Sequence, residues 1–127
     1  MPHRQTITEF ARRLGMIDWR CDDLPAVFQL EGLGVLTLEL DERGDVLLMS
    51  LALPLPPYDE TQLLAALRRC HPGGNRPFSL ACGLRQDRLI LMNRQPGVQL
   101  SAAGLENRAM FLIRQAMEIQ KGSQDHE

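Results

Sequence analysis

The run Val46-Leu-Leu-Met-Ser-Leu-Ala-Leu53 constrains the fold of this chain more than any other stretch. A strand with one wet face alternates apolar and polar residues, because successive side chains point to opposite faces. Here Ser50 is the only polar interruption, so both faces of the strand favour removal from water. Two covers are open for the second face: helices of this chain, or another polypeptide.

The flanks of the run fix its context. Upstream, Leu36, Leu38 and Leu40 alternate with Thr37, Glu39 and Asp41, the pattern of a half-wet strand. Between the two, Asp41-Glu-Arg-Gly-Asp45 reads as a hairpin loop in which Gly44 can take positive φ. A loop this short makes the two strands antiparallel. Downstream, Pro54, Pro56 and Pro57 end the pairing, since proline has no N–H for the ladder. Ala26 to Glu31 reads as an earlier strand, joined through a Gly32-Leu-Gly34 turn. Phe78 to Arg85 and Arg88 to Arg94 read as two later strands about a Gln86-Asp87 turn.

Three helices frame these strands. Ile7, Phe10, Ala11 and Leu14 recur at helical spacing within Thr6 to Leu14, with Thr6 and Glu9 placed as a capping box and Gly15 as a left-handed C-cap. Asp59 and Gln62 repeat the capping-box spacing before Leu63, Leu64, Leu67 and Cys70, and Pro72-Gly-Gly74 stops that helix. Ser101 caps a long closing helix whose stripe is Leu105, Ala109, Leu112, Ala116 and Ile119, widened by Met110, Phe111, Ile113 and Met117. The tail Lys121 to Glu127 is polar and expected to fray. The order is α-β-β-β-α-β-β-α, which predicts an α+β fold: a five-stranded, mainly antiparallel twisted sheet packed by helices. Residues 1–127 read as a single domain, with an ordered part of about residues 5–120.

Composition narrows the function. The chain carries a formal charge of −2 with 5% aromatics, so it has neither the basic footprint nor the stacking platforms of a nucleic-acid binder. Arg68, Arg69, His71 and Arg76 gather at a helix end, where the helix dipole favours cations. Val46–Leu53 is too short to span a bilayer, and the N-terminus has no apolar run of a signal peptide, so no membrane insertion is expected. An odd count of three cysteines without a close pair suits a reducing, cytoplasmic compartment.

Catalysis finds no support. Cys70 and His71 are adjacent, so on a helix their side chains diverge by roughly 100°, and Cys82 adds too few ligands for structural zinc. Asp41, Glu42 and Asp45 crowd a solvated turn that offers too few oxygens for calcium. Phosphate-loop and nucleophile-elbow spacings are lacking, so no cofactor is expected. What the sequence offers is apolar surface, including six methionines whose flexible thioethers suit varied partners as well as core filling.

Several local patterns, taken in order, resemble the class I type III secretion chaperones of Gram-negative bacteria. They are Phe10-Ala-Arg-Arg-Leu-Gly15, Leu51-Ala-Leu-Pro-Leu-Pro56, Leu63-Leu-Ala-Ala-Leu67, Phe78-Ser-Leu-Ala-Cys82, Arg88-Leu-Ile-Leu-Met92 and the long closing helix. The resemblance spans Thr6 to Ile119. It departs from the family where Leu67-Arg-Arg-Cys70 replaces a common Leu-x-x-Asn helix end. It implies a non-enzymatic, cytoplasmic homodimer that holds the N-terminal segment of a secreted effector in extended form. By the same resemblance, Leu63, Leu64, Leu67, Cys70, Phe78 and Leu80 are expected at the dimer interface. Phe10, Leu14, Val27, Phe28, Leu36, Leu38, Leu48 and Met49 are expected to offer client patches, with strand parity leaving open which face each takes. Two other readings stay open: one subunit of a heterodimeric chaperone serving an apparatus or gatekeeper protein, or a regulatory protein-interaction domain of the secretion system.

Overall fold

A computed structural model describes residues 2–16, 25–41, 43–54, 60–70, 78–96 and 100–124. The elements are α1 (Pro2–Arg13), β1 (Ala26–Leu30), β2 (Gly34–Leu40), β3 (Val46–Pro54), α2 (Glu60–Arg69), β4 (Ala81–Arg85), β5 (Arg88–Pro96) and α3 (Ala102–Gln124). The five strands form one antiparallel sheet in the order β1-β2-β3-β5-β4. The α+β class and the element order are those expected from the sequence.

The doubly apolar run forms the central strand. β3 pairs with β2 on one side, Leu51 opposite Leu36, and with β5 on the other, Leu51 opposite Leu91. Directly opposed residues share a face, so register assigns every strand residue to one of two faces. Phe28, Leu36, Leu38, Leu47, Met49, Leu51, Leu53, Leu89 and Leu91 lie on the inner face and are at most 1% exposed. Each fully buried side chain of this size contributes about 1.5–3 kcal/mol relative to exposure. The residues between them on β3, Val46, Leu48, Ser50 and Ala52, point to the outer face and are half-buried.

Helices cover the inner face. The α3 stripe expected from the sequence, Leu105, Ala109, Leu112, Ala116 and Ile119, is entirely buried, and α3 packs against β3 and β5. Ser101 starts that helix: its Oγ accepts from the Gly104 N–H at 3.0 Å, and its carbonyl accepts from the Leu105 N–H at 2.9 Å. Helix α1 packs on α3 and lays Phe10 edge-on against Phe28, ring centroids 5.5 Å apart. Helix α2 packs along α3 and buries Ala66.

The turns follow local chemistry. Gly15 and Gly44 take φ of 92° and 73°, in the left-handed region open to glycine. Asp41 Oδ1 closes the β2–β3 loop by accepting from the Asp45 and Val46 N–H groups at 2.8 and 3.1 Å. Gln86, in the β4–β5 turn, also has positive φ, at 56°.

Four boundaries differ from expectation. Helix α1 begins at Pro2, not Thr6, so Thr6 is an interior helical residue and the Thr6/Glu9 capping box is not used. A proline in the first turn gives up an N–H that has no helical partner anyway, and Glu9 instead meets Arg12 and Arg13 along the helix, at 3.8 Å each. The fourth strand starts at Ala81 rather than Phe78, because the Ser79 carbonyl bonds to the Asn93 side chain and not to a ladder N–H. The fifth strand continues past Arg94 to Pro96, where Gln95 pairs opposite Leu47. The closing helix keeps its form through Gln124, beyond the point where fraying was expected. Asp59 and Pro72-Gly-Gly74 lie outside the described residues.

Candidate functional site

The surface of this chain carries its distinguishing features, and they divide into a helical flank and a sheet face. The flank follows one side of α3. Arg69 at the end of α2 donates to Gln115 Oε1 at 3.0 Å and pairs with Glu118 at 3.4 Å. One turn and more toward the start of α3, the same side meets the segment leading into β4: Phe78 contacts Phe111 edge-on at 5.5 Å. Helix α2 and residues 78–80 are therefore neighbours along α3.

A polar knot holds that segment. Asn93 sits on the inner face of β5, opposite Met49, and is 2% exposed. Its Nδ2 donates to the Ser79 carbonyl at 2.6 Å, and its Oδ1 accepts from Arg108 Nη1. Arg108 also donates to the Arg94 carbonyl at 3.1 Å and lies 4.6 Å above the Phe78 ring, a cation–π contact. Partial desolvation pulls its guanidinium below the usual arginine pKa, and the group stays protonated. The knot ties Phe78–Leu80 to the core through a buried amide, a costly arrangement unless every member is bonded.

Along this flank lie the residues expected at a dimer interface. Leu64 and Leu67 are 51% and 52% exposed, while Leu63, Cys70, Phe78 and Leu80 are half-buried. On β4, Leu84 is exposed as well. The residues expected to meet a client separate by parity. Phe10, Phe28, Leu36, Leu38 and Met49 lie in the chain's own core. Val27 is exposed and Leu48 half-buried, both on the outer sheet face, and Leu14 is half-buried at the end of α1.

The outer face holds further accessible apolar residues outside that expected set: Val35, Ala52, Ile90 and Met92. No helix packs on it among the described residues. The sequence signal for these residues was their alternation with the leucines of the inner face, once register is known. Asn93 and Arg108 were also not singled out. Their signal is an amide at an inner-face position, in step with Leu89 and Leu91, and an arginine close to the apolar stripe of α3.

Among the described residues no group of three or more His, Cys, Asp or Glu is placed to hold a metal ion. Cys70 and Cys82 are half-buried thiols, and Cys21 and His71 lie outside the described residues. No helix among the described residues is long and apolar enough to cross a membrane.

Comparison with known proteins agrees with this architecture. The profile of the Tir chaperone protein (CesT) family matches residues 5–120, and the chain belongs to that family. The resemblance to type III secretion chaperones read from the sequence thus extends over nearly the whole chain. A search of curated proteins returns no match. Among solved structures, the fold is similar to the Yersinia pestis type III secretion chaperone SycH in complex with a stable fragment of YscM2. The TM-score is 0.67 at 19% identity, covering 92% of this chain and 98% of that one. It is also similar to a chain of the ExoT–SpcS complex from Pseudomonas aeruginosa, with TM-score 0.62, 19% identity and coverage of 91% and 95%. An uncharacterised protein from Methanothermobacter thermautotrophicus has TM-score 0.62 at 12% identity, covering 96% of each chain.

Proposed function

We propose that this chain is a non-enzymatic chaperone of type III secretion, acting in the bacterial cytoplasm as a single-domain subunit of a homodimer. It binds the N-terminal segment of a secreted effector in extended form and keeps that segment soluble and competent for export. The observation that carries this reading is membership of a chaperone family over residues 5–120. The complexes of SycH with YscM2 and of SpcS with ExoT support the inference that a chain of this fold holds another polypeptide.

Surface physics supports it too. Leu64 and Leu67 stand half out of water on α2, and the outer sheet face is apolar along β3. A partner removes such area from water at roughly 25 cal/mol per Å². An extended segment can also add main-chain hydrogen bonds at the β1 edge. We assign the dimer contact to the α2 flank, Leu64 and Leu67 foremost. The client contact falls on accessible members of the expected set, Val27, Leu48 and Leu14.

Co-expression with the N-terminal segments of proteins secreted by the same host tests this. A stable complex with two copies of the chain per effector segment, and a protease-protected stretch of that segment, is the expected result. Failure to retain any such segment overturns the reading, and recovery of a second small chaperone in equal amount replaces the homodimer with a heterodimer.

A further inference from the structure

We infer that the solvent side of α3 is one half of a coiled coil, which receives an acidic amphipathic helix of a partner protein. The contact is separate from the dimer and client surfaces proposed above and does not depend on them.

Its basis is a seam of coiled-coil spacing on a helix whose opposite side is buried. Ala103, Asn107, Met110, Arg114, Met117 and Lys121 are exposed and recur at alternating intervals of four and three residues. That is the spacing of heptad positions d and a: Ala103, Met110 and Met117 take d, and Asn107, Arg114 and Lys121 take a. Any helix on a core leaves a stripe to solvent, but a merely solvated stripe is polar. Here Met110 and Met117 are 40% and 59% exposed. From Ala103 to Lys121 the seam runs about 27 Å at 1.5 Å per residue.

The seam carries charge of one sign. Arg114 and Lys121 form no ion pair among the described residues. The acids on either flank are already engaged, Glu106 by Arg13 of α1 at 3.3 Å and Glu118 by Arg69 of α2 at 3.4 Å. The three helices together carry eight arginines and lysines against four glutamates. The chain as a whole has a formal charge of −2. The helical side of the molecule is therefore positive, and the occupant it selects is acidic.

Heptad chemistry specifies that occupant further. In a parallel pair, a residues meet a residues and d residues meet d residues, and a buried Asn at a fixes the register. Arg114 and Lys121 then call for Glu, Asn107 for Asn, and the methionines for Leu, to which flexible thioethers adapt. A second copy fits badly. Packed parallel, it sets Arg114 and Lys121 against their own counterparts. Packed antiparallel, it covers the same cations with methionines and no counter-charge.

The test uses the full chain and two synthetic helical peptides of about 20 residues. Each has Leu at three successive d positions and Asn at the first a position. One carries Glu at the next two a positions, and its counterpart carries Lys there. Fluorescence anisotropy should show at least tenfold tighter binding of the Glu peptide, weakening as salt rises. The double variant Arg114→Glu/Lys121→Glu changes only exposed side chains and should reverse the preference. Met117→Asp should weaken the binding of the Glu peptide at least tenfold. Circular dichroism melting identifies any variant that fails to fold. Equal binding of the two peptides, a preference that survives the double variant, or full binding by Met117→Asp overturns the inference. So does a Met117→Asp chain that folds but loses its self-association without peptide, which would give the seam to a second copy. Binding to vesicles rich in phosphatidylglycerol, with no binding of the Glu peptide, would overturn it in favour of a membrane surface. The double variant should capture an effector segment as the unaltered chain does. Loss of that capture would make the seam part of the client site and overturn its assignment to a separate partner.

Discussion

The two faces of one sheet use the same strands for opposite ends. On the inner face, Leu47, Met49, Leu51 and Leu53 meet the leucines of β2 and β5 beneath α1 and α3, and none exceeds 1% exposure. On the outer face, the intervening Leu48, Ser50 and Ala52 are smaller on average, half-buried, and flanked by Glu39, Arg88 and Arg94. Large, uniform side chains close a core that helices of the same chain complete. Small side chains bordered by charge leave a surface that stays hydrated alone and still has apolar area to give to a partner. The apolar character of both parities of β3 therefore has one cause in stability and, under the proposed function, a second in association.

The comparison is broken most directly at its centre. Leu51→Ala should cost about 2–5 kcal/mol, since the cavity lies between two strands and a helix that cannot all collapse into it. Urea denaturation measures the loss. A smaller effect comes from the polar corner of the inner face: Asn93→Ala strands the Arg108 guanidinium and the Ser79 carbonyl, with an expected loss of about 1–3 kcal/mol. Faster amide exchange at residues 78–80 should accompany it, because the knot fixes that segment to β5.

The α2 flank extends the contrast from the sheet to the helices. Leu67→Asp changes a side chain 52% exposed, so the stability of one subunit should move by less than about 1 kcal/mol. Light scattering should nevertheless report a fall from twice 14.3 kDa toward 14.3 kDa. The smallest effect belongs to the outer face: Ile90→Thr in the chain alone should stay within about 0.5 kcal/mol. A loss comparable to that of Leu51→Ala would mean that the outer face is covered after all.

How much of this was legible in the sequence depended on the range of the governing forces. Periodicity found α3 and its buried stripe, because burial against the sheet and helical spacing act on the same residues. Turn chemistry placed Gly44 and the β4–β5 hairpin, because those conformations are local. Thr6 misled for the opposite reason: a four-residue capping pattern carries no knowledge that the helix continues back to Pro2. Asn93 fell within an expected strand and Gln95 just beyond its expected end, and as polar residues neither signalled burial, yet they lie on the inner face, 2% and 7% exposed. Only the partners brought by tertiary structure, Arg108 and the Ser79 carbonyl for Asn93, make such burial affordable. The face taken by each client candidate was beyond sequence reach, since Leu48 and Met49 look alike until register with β2 and β5 separates them.

The central claim is that the inner face belongs to this chain and the outer face to its partner. Methyl NMR on the chain, with and without a bound N-terminal effector segment, tests it most directly. The account predicts large shifts at the methyls of Val35, Leu48, Ile90 and Met92, while those of Leu51, Leu89 and Leu91 hold still. A stable complex that leaves the outer-face methyls unmoved, or that shifts the inner ones instead, would contradict it.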